Sequence, residues 1–299
     1  MQLGALIPIG VIGGDPVLVR DYGQAMEAMG YDFLEAPDHV LGANVTSRPD
    51  WDNTRTTSQE LFQDPFVLFG FLAGCTSAIG FSTGVLILPQ RQTVLVAKQA
   101  ASLDVLCGGR FRLGIGVGWN EVEFVGLNEN FHNRGRRSEE QVQLMQALWA
   151  QEHVTFKGRY HTIEDAGINP RPASGRVPVW YGGHHDATLP RIAKWGDGWM
   201  PNAYPPDDTA LTVFEKLRSL TRAAGRNPAA VGIEVWTSCG AGTPVEWRKE
   251  VAFWKSAGVT HITLTTTFNR RHHRRIESRT MADHLAAARR YREAVAEAL

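Results

Sequence analysis

Eight short apolar runs, each followed by a stretch with the spacing of one helical face, alternate from residue 3 to the end of the chain. That alternation constrains the fold more than any other feature. Strands buried between helices pair in parallel, and their sequences read as continuous apolar runs. Strands are expected at 3–7, 32–36, 79–88, 111–117, 177–181, 198–200, 231–238 and 260–265. Helical spacing is clearest in Leu18, Tyr22, Ala25, Met26 and Met29, which Gly30 stops, and in Met281, Leu285, Ala288, Tyr291 and Val295. Further helices are expected over 66–75, 94–106, 138–149, 187–195, 207–224 and 245–257, and a surface hairpin over 154–163. Eight such units in 299 residues predict a closed (β/α)8 TIM barrel, one domain over 1–299, with its site at the C-terminal ends of the strands. An open doubly wound sheet is the structural alternative. The polar stretch from about His39 to Gln63 has no period and is expected to be a functional loop.

Charge excludes some partners. Lys+Arg and Asp+Glu number 31 each, so bulk attraction to nucleic acid or to an anionic membrane is not expected. Cys75, Cys107 and Cys239 form no CxxC pair and no disulfide framework, which suits a reducing compartment. The first residues lack a basic region and meet Gly13-Gly14-Asp15 early, so they read as a strand rather than a signal peptide. No apolar run nears the roughly 18 residues that span a bilayer. A soluble, cytoplasmic protein acting on a small molecule is the expectation.

Four strand ends carry chemistry. The second strand ends in Pro37-Asp38-His39-Val40, and a histidine at a strand's C-terminal end can give or take a proton near neutrality. An ordinary loop histidine bonded to backbone is the competing reading. The third strand contains Gly84 before Val85, which marks either a bulge or a close approach to the backbone. The fourth leaves as Gly114-Ile115-Gly116-Val117-Gly118-Trp119-Asn120. This is GxGxG rather than the GxGxxG of a Rossmann site, and its alternating glycines are expected to leave room for a flat ring. The fifth ends in Tyr181-Gly182-Gly183-His184-His185-Asp186, where a Gly-Gly turn before a helix would expose N–H groups to a phosphate. The adjacent histidines there are not expected to bind metal, since they point apart and lack a third ligand. After the eighth strand, 269–279 holds five arginines against one glutamate, either a solvated loop or a surface for an anion.

Taken together, Leu88-Pro89-Gln90-Arg91, the run from Ala97 to Phe111, and Gly114 to Asn120 resemble the bacterial luciferase-like monooxygenase superfamily. Arg134-Gly135-Arg136-Arg137, the hairpin from Phe156 to His161, Asn169-Pro170-Arg171-Pro172, Tyr181-Gly182-Gly183 and Gly196-Asp197-Gly198-Trp199 are similar to it as well. The resemblance runs to about residue 205 and is generic beyond. Pro37-Asp38-His39-Val40 resembles the branch that uses the deazaflavin coenzyme F420. The resemblance implies a barrel holding the cofactor ring at its C-terminal mouth, backed by a non-prolyl cis peptide that maps onto Gly84-Val85. It further implies that Asp38, Gly118, Trp119 and Asn120 line the cofactor pocket, that Gly182, Gly183 and His184 hold its phosphate, and that His39 is catalytic over the reacting edge. Family members are often dimers, so a homodimer is expected. His184-His185 stand where many relatives have small hydroxyl residues, and Trp119 takes the place of the acid of sugar-phosphate dehydrogenases, so a sugar phosphate is not expected. The leading reading is hydride exchange between F420 and a small organic substrate. An FMN-dependent two-component monooxygenase is the alternative, and a non-catalytic flavin-binding protein a third. A barrel lyase lacks a lysine placed for a Schiff base.

Overall fold

The N-terminal apolar run is β1 (Gln2–Leu6), and a one-turn helix that the spacing does not announce, α1 (Ile9–Ile12), follows it. The computed structural model describes residues 1–51 and 56–299, so part of the 39–63 stretch lies outside the described residues. The chain continues as α2 (Pro16–Ala28), β2 (Phe33–Ala36), α3 (Pro65–Ala73), β3 (Gly80–Thr83), β4 (Leu86–Ile87), α4 (Thr93–Leu106) and β5 (Phe111–Gly116). Then come α5 (Glu121–Gly126), α6 (Arg134–Ala150), the hairpin β6 (Val154–Lys157) and β7 (Thr162–Ala166), β8 (Val179–Gly182), α7 (Leu189–Trp195) and β9 (Gly198–Met200). The last elements are α8 (Asp208–Ala223), β10 (Gly232–Ser238), α9 (Pro244–Ser256), β11 (His261–Thr265) and α10 (Met281–Val295).

The strands pair in parallel in the order β3-β2-β1-β11-β10-β9-β8-β5-β4. β3 also pairs β5, with Phe81 opposite Phe111, so the sheet closes into a barrel rather than staying open. Local chemistry sets the helix starts. The Asp15 carboxylate accepts from Val17 N at 2.8 Å ahead of Pro16, Asp64 does the same for Phe66 N ahead of Pro65, and Thr243 and Glu246 form a capping box. Besides α1, two places differ from the sequence expectation. The third strand is divided at a cis Gly84–Val85 peptide, and only its halves, β3 and β4, are paired. The helix expected from 138 begins at Arg134, and α5 precedes it. Both segments are short or polar, so no apolar stripe announces them.

The barrel interior is not wholly apolar. Arg112 on β5 sits over the Phe33 and Trp180 rings, 4.5 and 4.3 Å from their centroids, and pairs with the fully buried Glu234 of β10. Thr263 donates to Glu234 at 2.7 Å. Glu35 of β2, also fully buried, accepts from Trp236 Nε1 at 2.9 Å. Burial, followed by the negative charge of Glu234, pushes the Glu35 carboxyl well above its ordinary range. Glu234 is desolvated as well, yet the Arg112 guanidinium holds it below that range. The two buried carboxyls are therefore pushed in opposite directions, Glu35 up and Glu234 down. No helix among the described residues is long and apolar enough to cross a membrane.

Candidate active site

The C-terminal ends of the strands form a mouth, and its β2–β5 side is the more tightly built. Asp38, almost fully buried, takes Arg91 Nη2 at 2.7 Å and Nε at 3.2 Å, and accepts from Ile87 N at 3.0 Å. Arg91 also reaches Asp64 at 2.9 Å. Asp38 thus ties the end of β2 to β4 and to the start of α3, and both of its oxygens are occupied within the protein. Asn120 is likewise committed: its Oδ1 accepts from Val122 N at 3.1 Å as the cap of α5, and its Nδ2 donates to Leu41 O at 3.1 Å.

His39 is half-buried, and its Nδ1 lies 3.1 and 3.3 Å from the two carboxylate oxygens of Glu123. The Glu123 side chain is fully buried in α5 and also accepts from Val40 N at 2.8 Å and Leu41 N at 3.2 Å. A carboxylate only accepts, so Nδ1 carries the proton and Nε2 is left as the ring atom without a protein partner among the described residues. Phe62 and Trp119 stand edge-on to the imidazole, with centroids 5.0 and 5.9 Å away, and Trp51 stands 5.7 Å from Trp119. The imidazole therefore has a fixed tautomer and an aromatic surround.

The glycines of β5 and β8 do not leave the space expected of them. A Cβ on Gly116 would lie 2.5 Å from Val85 Cγ2, and one on Gly182 2.6 Å from Val85 Cγ1. Val85, displaced at the break in the third strand, fills the room between those two glycines. A Cβ on Gly118 would strike Ile87, and one on Gly114 would strike the Thr83 carbonyl and Met200. The alternating glycines thus accommodate protein atoms of the third strand rather than a ring. What reaches the mouth is the Val85 side chain, partly exposed, with Gly84 covering Glu35 beneath it.

Across the mouth, Gly183 takes φ +105°, which favours glycine, and a Cβ there would find only Thr188 Oγ1, at 3.8 Å. A helical turn starts at Asp186, one residue ahead of the helix expected over 187–195, and His185 Nδ1 accepts from Ala187 N at 3.1 Å. The N–H groups of His184 and His185 reach no acceptor among the described residues. The segment after β11 returns over this side. Ile276 N donates to Thr266 O, Arg274 N to Ser238 Oγ and Gly240 N to Arg274 O, each at 3.0 Å. His273 anchors it, buried edge-on to Trp236 and Phe268 and 4.0 Å from the His272 ring centroid. Burial, then the neighbouring His272 and arginines, pushes its pKa down to about 3. His184 is also held below its ordinary value, first by burial and then by the Arg271 charge.

The sequence-derived residues thus converge on one mouth, with Asp38 and Asn120 turned into the protein. Sequence reasoning missed Glu123, Val85's packing partners and the aromatic surround of His39. The available signal for Glu123 was Asn120 ahead of two glutamates, which reads as a helix cap with an acidic first turn.

A profile of the luciferase-like monooxygenase family matches residues 1–299. The F420-dependent hydroxymycolic acid dehydrogenase of Mycobacterium tuberculosis is 30% identical over 215 residues, 71% of this chain and 55% of that one. The pyrimidine monooxygenase RutA of Allorhizobium ampelinum is 30% identical over 248 residues, 77% of this chain and 65% of that one. A solved F420-dependent secondary alcohol dehydrogenase shares the fold, with TM-score 0.78, 19% identity and 98% of each chain covered.

Proposed function

Since the chain belongs to the luciferase-like monooxygenase family, we propose that it is an oxidoreductase using coenzyme F420 to exchange hydride with a small organic substrate. The observation that carries this reading is His39: an imidazole of fixed tautomer at the mouth, its Nε2 open, next to the broken third strand. The 30% identity to an F420-dependent dehydrogenase supports the deazaflavin. The residues fit such a group. Gly183 leaves a side-chain-free turn with nothing near its missing Cβ, and the N–H groups of His184 and His185 are available to an anion.

In this reading Gly182, Gly183 and His184 receive the phosphate, Gly84 and Val85 back the ring, and Trp119 lines its pocket, with Gly118 contributing backbone only because Ile87 and Phe124 fill the place of its side chain. The coenzyme supplies the hydride chemistry when bound. His39 Nε2 holds or delivers the accompanying proton at the substrate, and Glu123 keeps the ring oriented by taking the Nδ1 proton as a hydrogen bond. Asp38 and Asn120 enter as positioning residues, through Arg91 and through the cap of α5. Phe62 and Trp119 restrict water around the imidazole. The exposed apolar side chains of α3 and α4, Val67 and Leu106 among them, supply a face for a second copy, in keeping with a homodimer. A cytoplasmic location accompanies the reading.

The likeness to RutA favours a second reading, an FMN-dependent monooxygenase on the same barrel. Separate fluorescence titrations of the apoprotein with F420 and FMN decide between them. Tight F420 binding with weak FMN binding is the expected result. Tight FMN binding without F420 binding overturns the deazaflavin assignment.

A further inference from the structure

The cations after β11 have no role in the site as described. Arg270, Arg271, Arg274, Arg275 and Arg279 lie within ten residues, with Glu277 as the one acid among them. None has an ion pair among the described residues, whereas Arg91, Arg112, Arg137, Arg176 and Arg191 each do. Unpaired arginines occur elsewhere in the described residues too, but here a chain of zero formal net charge carries a local excess of four positive charges within ten residues, where the cations repel one another.

The strap is also fixed in place. Two backbone hydrogen bonds and one from Arg274 N to the Ser238 hydroxyl tie it to the ends of β10 and β11, and the buried His273 plugs it against Trp236 and Phe268. Arg274 spends its guanidinium on the Arg271 and His273 carbonyls, at 2.7 and 2.8 Å, and so braces the turn. Arg271, at φ +60°, stands at the bend, and its charge acts on both His184 and Tyr204. The strap thus crosses from the eighth barrel strand to the loops after the fifth and sixth, beside the Gly182-Gly183 turn. The acids nearest this place are committed elsewhere: Asp186 is bonded to Lys216 at 2.9 Å, and Asp207 caps α8.

We infer that Arg270, Arg271 and Arg275 form a binding surface for an anionic chain that continues outward from a phosphate at Gly182-Gly183-His184. The inference rests on the deazaflavin reading above. F420 carries a chain of glutamates beyond its phosphate, whereas FMN ends at that group, so the strap selects the coenzyme by its tail. A substrate bearing several carboxylates is the other source of the same chemistry, and a titration without substrate separates the two.

The test compares the binding of F420 with its glutamate chain, the same deazaflavin phosphate lacking the glutamates, and FMN, all by fluorescence and without substrate. Three surface changes are combined: Arg270→Gln, Arg271→Asn (a residue that tolerates positive φ) and Arg275→Gln. A second variant, Arg271→Lys, retains the charge. Wild type should bind the tailed form about tenfold or more tightly than the tail-free form at low salt, with the advantage shrinking as salt rises. The triple variant should lose that advantage and keep its affinity for the tail-free form, and Arg271→Lys should retain most of it. Equal affinities of wild type and triple variant for the tailed form overturn the strap assignment alone. Absence of binding by either deazaflavin form, with FMN bound, overturns both it and the cofactor reading.

Discussion

The two sides of the barrel mouth are built on opposite principles. On the β2–β5 side, Asp38, His39, Asn120 and Glu123 are partly or fully buried, and each is held by a partner at 2.7–3.3 Å. On the β8–β11 side the turn is glycine and the cations of the strap are exposed and unpaired. Proton transfer depends on orientation to a few tenths of an ångström, which side chains locked by buried partners provide. Anion binding depends on charge and open backbone, which glycine and unpaired arginine provide. Under the proposed function the rigid side is the place for the reaction and the open side the place for affinity, so substitutions on the two sides should separate turnover from binding.

The largest effect is expected where the rigid side meets substrate. His39→Ala should lower kcat by about 10²–10⁴-fold, with cofactor affinity changed only a few-fold, since the residues proposed for the phosphate and ring lie on other strands. Rapid mixing with any substrate the wild type turns over measures it, and a wild-type transfer rate in the variant would make His39 a structural residue. Glu123→Gln, which keeps an acceptor oxygen, should retain more activity than Glu123→Ala. Next comes the wiring behind His39. Asp38→Ala leaves the half-buried Arg91 with only Asp64, and breaking a buried pair costs roughly 3–5 kcal/mol, here toward the lower end because that second carboxylate remains. A urea midpoint like that of the wild type would show that this side is not held as argued.

The open side should respond in the other currency. Gly183→Val places a branched side chain at φ +105°, a strain of about 1–3 kcal/mol, and obstructs the turn. The cofactor Kd should rise by roughly tenfold or more while kcat at saturation is nearly kept, and isothermal titration reads the first and steady-state kinetics the second. An unchanged Kd removes the phosphate assignment.

At neutral pH the smallest effect concerns the plug of the strap, whose contribution changes only in acid. His273 has its pKa pushed down to about 3 in the folded protein, against about 6.5 when unfolded, so between those values the unfolded chain binds the extra proton. Its contribution to stability is therefore complete above about pH 6.5 and is lost as pH falls toward 3, at about 1.4 kcal/mol per pH unit. His273→Phe should flatten the acid limb of the stability curve by that one proton. His261, also lowered to about 3 by burial and by Arg112, should keep its own share. An acid limb of unaltered slope would mean that His273 is protonated in the folded state.

Strand–helix alternation determined the barrel from sequence alone, because apolar periodicity and caps such as Asp15-Pro16 and Asp64-Pro65 are local signals that burial enforces at every unit. The strand ends at His39, Gly84, Gly118 and Gly183 were legible for the same reason: a parallel barrel gathers its strands' C-terminal ends on one face whatever their spacing in the chain. What those residues touch was not legible. Glu123 is 84 positions from His39, the arginine that takes Asp38 is 53 away, and Trp236 reaches Glu35 across 201 residues. Such contacts depend on barrel closure and register, which no local pattern encodes. The glycines of β5 show the limit most directly. Their sequence announces a vacancy, but only the tertiary structure decides what fills it, and there the break in the third strand turns Val85 into the space that Gly116 and Gly182 leave open.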